Sequence, residues 1–324
     1  MVQQKLDPQA QAVCDLIVAS GRPPLETLSP PDARKAYLAS KPILQPDPPP
    51  VAEVVALEAR GPAGPIPLRL YRGQDVGRDG PQPALIYFHG GGWVIGDLES
   101  HDQACRALAN AVPCTVIAVD YRLAPEHKFP AAAEDAYSAT RYVAEHAAEF
   151  GIDPSRIAVG GDSAGGNLAT VVAMMARDRS GPALKFQLLI YPVTDFTEHA
   201  TQSERDYGQG YFLDTELMDW FADQYFANEA DRHLPYGSPS KASDLRGLPA
   251  AMVITGECDP LCDQGEAYAD RLRHAGVAVQ LKRYDGMIHP FLSLAGIVDA
   301  GRDAIKDSAV AVRQALTADT PARV

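Results

Sequence analysis

No stretch of the 324-residue sequence reaches the roughly 18 consecutive uncharged apolar residues that would span a bilayer. The N-terminus, Met-Val-Gln-Gln-Lys-Leu-Asp, has no basic segment leading into an apolar one, so nothing there marks the chain for secretion. Basic residues are also in short supply. Lys and Arg number 29 against 42 Asp and Glu, and the formal net charge of -13 repels phosphate backbones and anionic headgroups alike. Neither nucleic acid nor a membrane is an expected partner. The five cysteines, at 14, 105, 114, 258 and 262, are odd in number and scattered, which suits reduced thiols in a cytoplasm better than a disulfide framework. Cys258 and Cys262 form a C-x3-C without further ligands at a recognisable spacing, so no metal site is expected and both read as small buried hydrophobes.

What is present is an ordinary globular composition, 46% hydrophobic and 22% charged, enough to bury a large core. The length suits one such core carrying an insertion. Residues 7–20 have a helical pattern, after which Pro-rich sequence ending in Asp47-Pro48-Pro49-Pro50 reads as a stiff linker. Residues 51–60 and 66–72 flank a Gly-Pro-Ala-Gly-Pro turn and predict a hairpin. Strands are then expected at 83–88, 115–119, 156–159 and 186–191, alternating with helices at 102–111, 131–150 and 164–179. Such alternation predicts an α/β fold: a mostly parallel central sheet with helices on both faces. The rhythm stops near Thr194 and resumes at 251–255, followed by a helix over 264–275, a strand over 277–284 and a helix from about Ala300. The interruption holds Tyr207, Tyr211, Phe212, Trp220, Phe221, Tyr225 and Phe226. The expected organisation is therefore a core made of 51–195 and 247–324, with an appendage at 1–50 and an insertion at 196–246.

Gly161-Asp162-Ser163-Ala164-Gly165 matches G-x-S-x-G, a pattern that composition alone would produce in roughly one chain in ten. Its context is more specific, because an apolar strand leads in and a helix-forming run leads out, as a nucleophile elbow requires. His89-Gly90-Gly91-Gly92-Trp93 follows the first buried strand, where backbone N–H groups can approach a developing oxyanion; Gly91, Gly92 and Ala164 are the expected donors. An acid and a histidine should follow Ser163 in that order. Asp259 lies just beyond the 251–255 strand, with Glu257 as the alternative, while Asp263 and Glu266 read as a helix-capping box. His274 falls in the last turn of a helix, whereas His289 falls in the loop after the last strand, where a base is needed. Among the aromatics, Trp93, Tyr211, Phe212, Trp220 and Phe221 are candidates to contact substrate, although for any one of those in the insertion the packing of cap helices is the simpler account.

Taken together, five motifs resemble the hormone-sensitive-lipase-like family of α/β-hydrolase carboxylesterases over nearly the whole chain. They are His89-Gly90-Gly91-Gly92-Trp93, Asp120-Tyr121-Arg122-Leu123-Ala124-Pro125-Glu126, Gly161-Asp162-Ser163-Ala164-Gly165-Gly166-Asn167, Asp259-Pro260-Leu261-Cys262-Asp263 and His289-Pro290-Phe291. Pro290 departs from the glycine that members often carry. The resemblance implies Ser163, Asp259 and His289 as a catalytic triad, a helical cap built from residues 1–50 and 196–246, activity on short and medium acyl esters, and no cofactor. Glu126 reads as a buried charge tying loops together. The expected partner is a small-molecule ester, with self-association left open. An amidase or peptidase using the same triad is the alternative chemistry, and a small-molecule receptor on the same scaffold the alternative class; the intact triad positions argue against the latter.

Overall fold

The computed structural model describes residues 6–74, 80–197 and 201–317. Two helices open the chain, α1 at Pro8–Ser20 and α2 at Pro30–Leu44. Asp7 caps α1 by accepting the Gln9 N–H at 2.8 Å, and Gly21 ends it in the left-handed conformation at φ 59°. Helix α2 corrects the expectation that Pro-rich sequence breaks up there. Pro30 and Pro31 instead occupy the first two helical positions behind the N-cap Ser29, where a missing N–H costs nothing. Pro42 lies in the final turn, too late to break the helix.

The hairpin forms as β1, Glu53–Gly61, and β2, Gly64–Arg72. Six further strands follow: β3 Gln82–Phe88, β4 Thr115–Val119, β5 Ile152–Asp162, β6 Leu184–Ile190, β7 Ala250–Gly256 and β8 Val279–Tyr284. The sheet order is β1-β2-β4-β3-β5-β6-β7-β8, with every pair from β4 to β8 parallel and β2 antiparallel to β4. Each crossover is a helix. These are α3 Asp102–Ala111, α4 Ala131–Glu145 and α5 Ala164–Asp178, then, beyond the insertion, α9 Cys262–His274, with α10 Asp299–Thr317 closing the chain.

The period-two alternation of the strands divides the core in two. Ile86 and Phe88 face a layer with α4, α5 and α9, while Leu85 and Tyr87 face α3 and α10. All four are fully buried. Between β6 and β7 the chain leaves the sheet to form α6 Gln202–Tyr207, α7 Thr215–Tyr225 and α8 Glu229–Arg232. Helix α7 packs against the short 3-10 turn Leu25–Thr27 that joins α1 to α2. The insertion and the N-terminal helices thus meet above the ends of β3, β5 and β6, and one cavity of about 680 Å³ lies beneath them. Among the described residues, no helix is long and apolar enough to cross a membrane.

Candidate active site

Ser163 stands alone between the end of β5 and the start of α5, at φ 55° and ψ -118°. Few side-chain-bearing residues adopt that backbone, and here it is held from both sides. The Ser163 N–H donates to Ile190 O at 2.9 Å, and its carbonyl accepts from the Asn167 N–H at 3.0 Å. The flanking glycines are dictated by space. A Cβ on Gly165 would sit 1.9 Å from the Phe88 carbonyl oxygen, so the helix can approach β3 only without one.

His289 Nε2 lies 3.0 Å from Ser163 Oγ, and its Nδ1 lies 2.8 Å from Asp259 Oδ2. Asp259 is fully buried, and its second oxygen accepts the Leu261 N–H at 2.8 Å, which orients the carboxylate toward the imidazole. The Tyr191 ring meets the imidazole edge-on at 4.6 Å between centroids. Three side chains from three loops, at the ends of β5, β7 and β8, therefore form one line of hydrogen bonds.

Glu257, the alternative acid, is turned to a different task. Its Oε2 accepts the Gly286 N–H at 2.9 Å. His274 is exposed at the end of α9, its Nδ1 2.7 Å from the Asp270 carbonyl. The capping box expected of Asp263 and Glu266 does not form. Helix α9 begins at Cys262 without a side-chain cap, Asp263 accepts the Ser203 N–H at 2.8 Å from the insertion, and Glu266 pairs with Arg283 of β8. Tertiary partners prevail over the local motif in both cases.

Phe88 pairs in register with Gly161, so the loop after β3 runs beside the elbow. Gly91, Gly92 and Trp93 all have positive φ, at 116°, 58° and 60°. The Gly91 carbonyl accepts from both Val94 and Ile95, closing a tight turn, while the Gly91 and Gly92 N–H groups make no hydrogen bond among the described residues. Ala164, first in its helix, has an N–H with no intrahelical acceptor. His89 secures the loop from behind: it stacks on Tyr121 at 4.2 Å, and the Tyr121 hydroxyl donates to the His89 carbonyl at 2.7 Å. Burial, with His101 close by, lowers the His89 pKa to about 4, so this imidazole is neutral at physiological pH.

Of the five candidate aromatics, Trp93, Phe212 and Phe221 reach the cavity wall. The other two do not. Tyr211 packs edge-on against Tyr207, and Trp220 lies against Phe221 on the core side. Phe221 also covers the glycine loop, for a Cβ on Gly92 would lie 2.2 Å from its ring. Tyr225 stacks on Trp93 at 4.4 Å. Glu126 corrects another expectation. Its side chain is 48% exposed, and it takes a bidentate pair of hydrogen bonds from Arg34 of α2, at 2.8 and 2.6 Å. It ties α2 to the loop, but at the surface. Sequence reasoning missed the N-terminal side of the cavity, where Leu16, Ile17, Tyr37 and Ile43 form the wall. The available signal was the apolar run Leu16-Ile17-Val18, which a helix packed only on the core would not carry; all three side chains are exposed, and Leu16 and Ile17 line the cavity.

A family model described as alpha/beta hydrolase fold matches residues 85–293. The chain is 39% identical to an ethyl acetate hydrolase of Pseudomonas putida over 96% of its own length and 99% of that protein. It is 46% identical to the carboxylic ester hydrolase LipN of Mycobacterium tuberculosis over 75% of its length, a match that spans 65% of the relative. Among solved structures, an ester-hydrolase from the metagenome of Lake Arreo, complexed with a derivative of bipyridine phosphonate, superposes with a TM-score of 0.92 at 44% identity, over 95% of this chain and 98% of that one. With a serine elbow, a glycine-rich loop and a buried Asp–His pair meeting at one cavity, the chain belongs to the hormone-sensitive-lipase-like family of α/β-hydrolase carboxylesterases.

Proposed function

We propose that the protein is a serine carboxylesterase of short to medium acyl esters, and that the continuous line Ser163–His289–Asp259 performs the reaction. In this reading Ser163 Oγ attacks the ester carbonyl while His289 Nε2 takes its proton. The oxygen that gains charge is met by the N–H groups of Gly91, Gly92 and Ala164, none of which has to give up a partner among the described residues to reach it. Collapse of the tetrahedral species breaks the bond to the alcohol, to which His289 returns the proton, leaving an acyl-serine. Water repeats the sequence and releases the acid. Asp259 keeps the Nδ1 proton in place and offsets the charge on the imidazolium.

The observation that carries this reading is the pair of contacts at 3.0 and 2.8 Å on opposite nitrogens of one imidazole. The names of the relatives support ester substrates. Residues 1–50 and 196–246 act as the cap, with Trp93, Phe212 and Phe221 contributing contacts to substrate. A cytoplasmic location belongs to the same reading, supported by the odd number and scattered placement of the five cysteines, all of them buried.

The deciding experiment compares wild type and Ser163→Ala on p-nitrophenyl esters and on matched anilides. Ester turnover should vanish in the variant while its melting temperature is unchanged. More than a few per cent of wild-type activity in folded Ser163→Ala would exclude the mechanism, and faster cleavage of the anilides by wild type would exclude the ester preference.

A further inference from the structure

Helix α2 carries two polar side chains that the reaction above does not use. Tyr37 forms part of the cavity wall, and its hydroxyl makes no hydrogen bond among the described residues. Lys41 follows one turn later and is 8% exposed. Its ammonium makes no hydrogen bond or salt bridge among the described residues and rests 3.8 Å from the centroid of the Tyr37 ring. A buried ammonium without an acceptor is costly, and the negative face of an aromatic ring offsets part of that cost. Lys41 does not line the cavity itself, so its charge reaches the cavity through the ring.

The ring is held in a fixed place. Three residues before it, Arg34 donates to the carbonyls of Val94 and Ala124, each at 2.8 Å, besides its pair with Glu126. Just past the helix, Gln45 Nε2 donates to the Ser100 carbonyl at 3.1 Å. Val94 lies two residues beyond Gly92, so α2 is anchored beside the glycine loop, and Tyr37 shares the cavity with Ser163. Burial, with the carboxylates of Asp162 and Asp97 nearby, raises the Tyr37 pKa well above that of an ordinary phenol, and the hydroxyl is a donor at every working pH. Burial lowers the Lys41 pKa to about 8, which leaves its charge in place at neutral pH. The serine hydroxyls of the same wall are committed: Ser20 donates to the Ile17 carbonyl at 2.7 Å and Ser40 to the Tyr37 carbonyl at 2.6 Å. Around them stand Leu16, Ile17 and Ile43. A donor with no protein acceptor on an apolar wall is the kind of group that orients a small ligand.

We propose that Tyr37, with Lys41 seated on its ring, is a hydrogen-bond donor site for a second oxygen of the substrate, so that the enzyme selects esters carrying an ether or keto oxygen apart from the ester group. The proposal rests on the reading of the protein as a serine carboxylesterase and names its substrate class. A hydrocarbon chain laid against this wall strips water from the hydroxyl and offers no acceptor, whereas an ether or keto oxygen at the same place accepts its hydrogen. The ammonium draws electron density from the ring and strengthens the donor.

Two isosteric pairs of esters test this with the full-length enzyme. p-Nitrophenyl butyrate against p-nitrophenyl methoxyacetate probes the acyl side, and n-butyl butyrate against 2-methoxyethyl butyrate probes the alcohol side. Within each pair one CH2 becomes an ether oxygen, and the difference in intrinsic reactivity, common to all enzyme variants, cancels when their ratios of kcat/KM are compared. In one of the pairs Tyr37→Phe should lower kcat/KM for the ether about tenfold relative to its hydrocarbon twin, the size of one net hydrogen bond, and Lys41→Met about threefold. The pair that responds identifies the half of the ester that meets Tyr37. A role in packing alone would change both members of a pair alike. Unchanged ratios in both pairs for Tyr37→Phe overturn the proposal, as does a folded Lys41→Met that keeps the wild-type ratios. If Lys41→Met fails to fold, Tyr37→Phe, which removes a single oxygen, carries the test by itself. Retained turnover in Ser163→Ala would remove the underlying mechanism instead, so the two failures are distinguishable.

Discussion

Replacing Asp259 by asparagine changes a single atom, and the surrounding contacts dictate how the new amide must lie. One oxygen of Asp259 accepts the Leu261 N–H at 2.8 Å, and the other faces His289 Nδ1 at 2.8 Å. An amide has one oxygen, and only that oxygen can accept from Leu261. Its NH2 must then face the imidazole, so Nδ1 becomes the acceptor and the ring proton moves to Nε2, 3.0 Å from Ser163 Oγ. A protonated Nε2 cannot take the serine proton. The enzyme keeps its shape and loses its base. The rate loss for a wrong tautomer in a serine triad is about 10⁴-fold, or ~5 kcal/mol of barrier, falling on kcat and leaving KM nearly unchanged. Initial rates on p-nitrophenyl butyrate, with circular dichroism to verify folding, measure it directly. Glu257→Gln is the matched control: that side chain serves the Gly286 N–H, and its loss should stay under about tenfold. Asp259→Asn retaining a tenth of wild-type kcat, or Glu257→Gln losing as much as Asp259→Asn, would refute the tautomer reasoning.

Gly165→Ala forces a methyl against the Phe88 carbonyl oxygen, which is backbone within the sheet and cannot step aside; a destabilisation of about 3 kcal/mol or more is expected in urea unfolding. Glu126 is held near pKa 2 chiefly by its hydrogen bonds from Arg34, so its contribution is complete above the ordinary carboxyl value of about 4.3 and disappears as pH falls from there toward 2. Because the pair is half-exposed it is worth at most about 1 kcal/mol, and the melting-temperature gap between wild type and Glu126→Gln should be visible at pH 7 and closed near pH 2. Along a series of p-nitrophenyl acyl esters, kcat/KM should rise about fourfold for each added CH2 buried against the cavity wall and level off between about four and eight carbons. Faster cleavage of an emulsified long-chain triglyceride than of the soluble series would contradict that substrate range.

The order of strands and helices was legible because local physics decides it. Apart from Gln82 and Thr115 at their first positions, β3 and β4 carry near-continuous apolar runs that leave no polar face, which a parallel sheet covered on both sides accommodates, and a three-glycine loop after one strand and a serine between strand and helix stand out against that background. Ser163, Asp259 and His289 could be placed for the same reason: each lies in the connection that follows a strand. Helix α2 was not legible, since two prolines that signal a break within a helix signal a start when a capping serine precedes them. Nor was the fate of Asp263 and Glu266, whose capping spacing is local while their partners, Ser203 and Arg283, come from distant parts of the chain. Which aromatics face the cavity was likewise undetermined, because helical spacing gives the faces of α7 but not what lies opposite each one. Packing against Gly92 and Trp93 settled that Phe221 would face the glycine loop and Tyr225 the indole. The sequence thus determined the elements and the strand ends that could bear chemistry, through periodicity, turns and backbone sterics. The separations among those ends, and the burial of Asp259, exist only once the sheet sets β3 beside β5 and β7 beside β8.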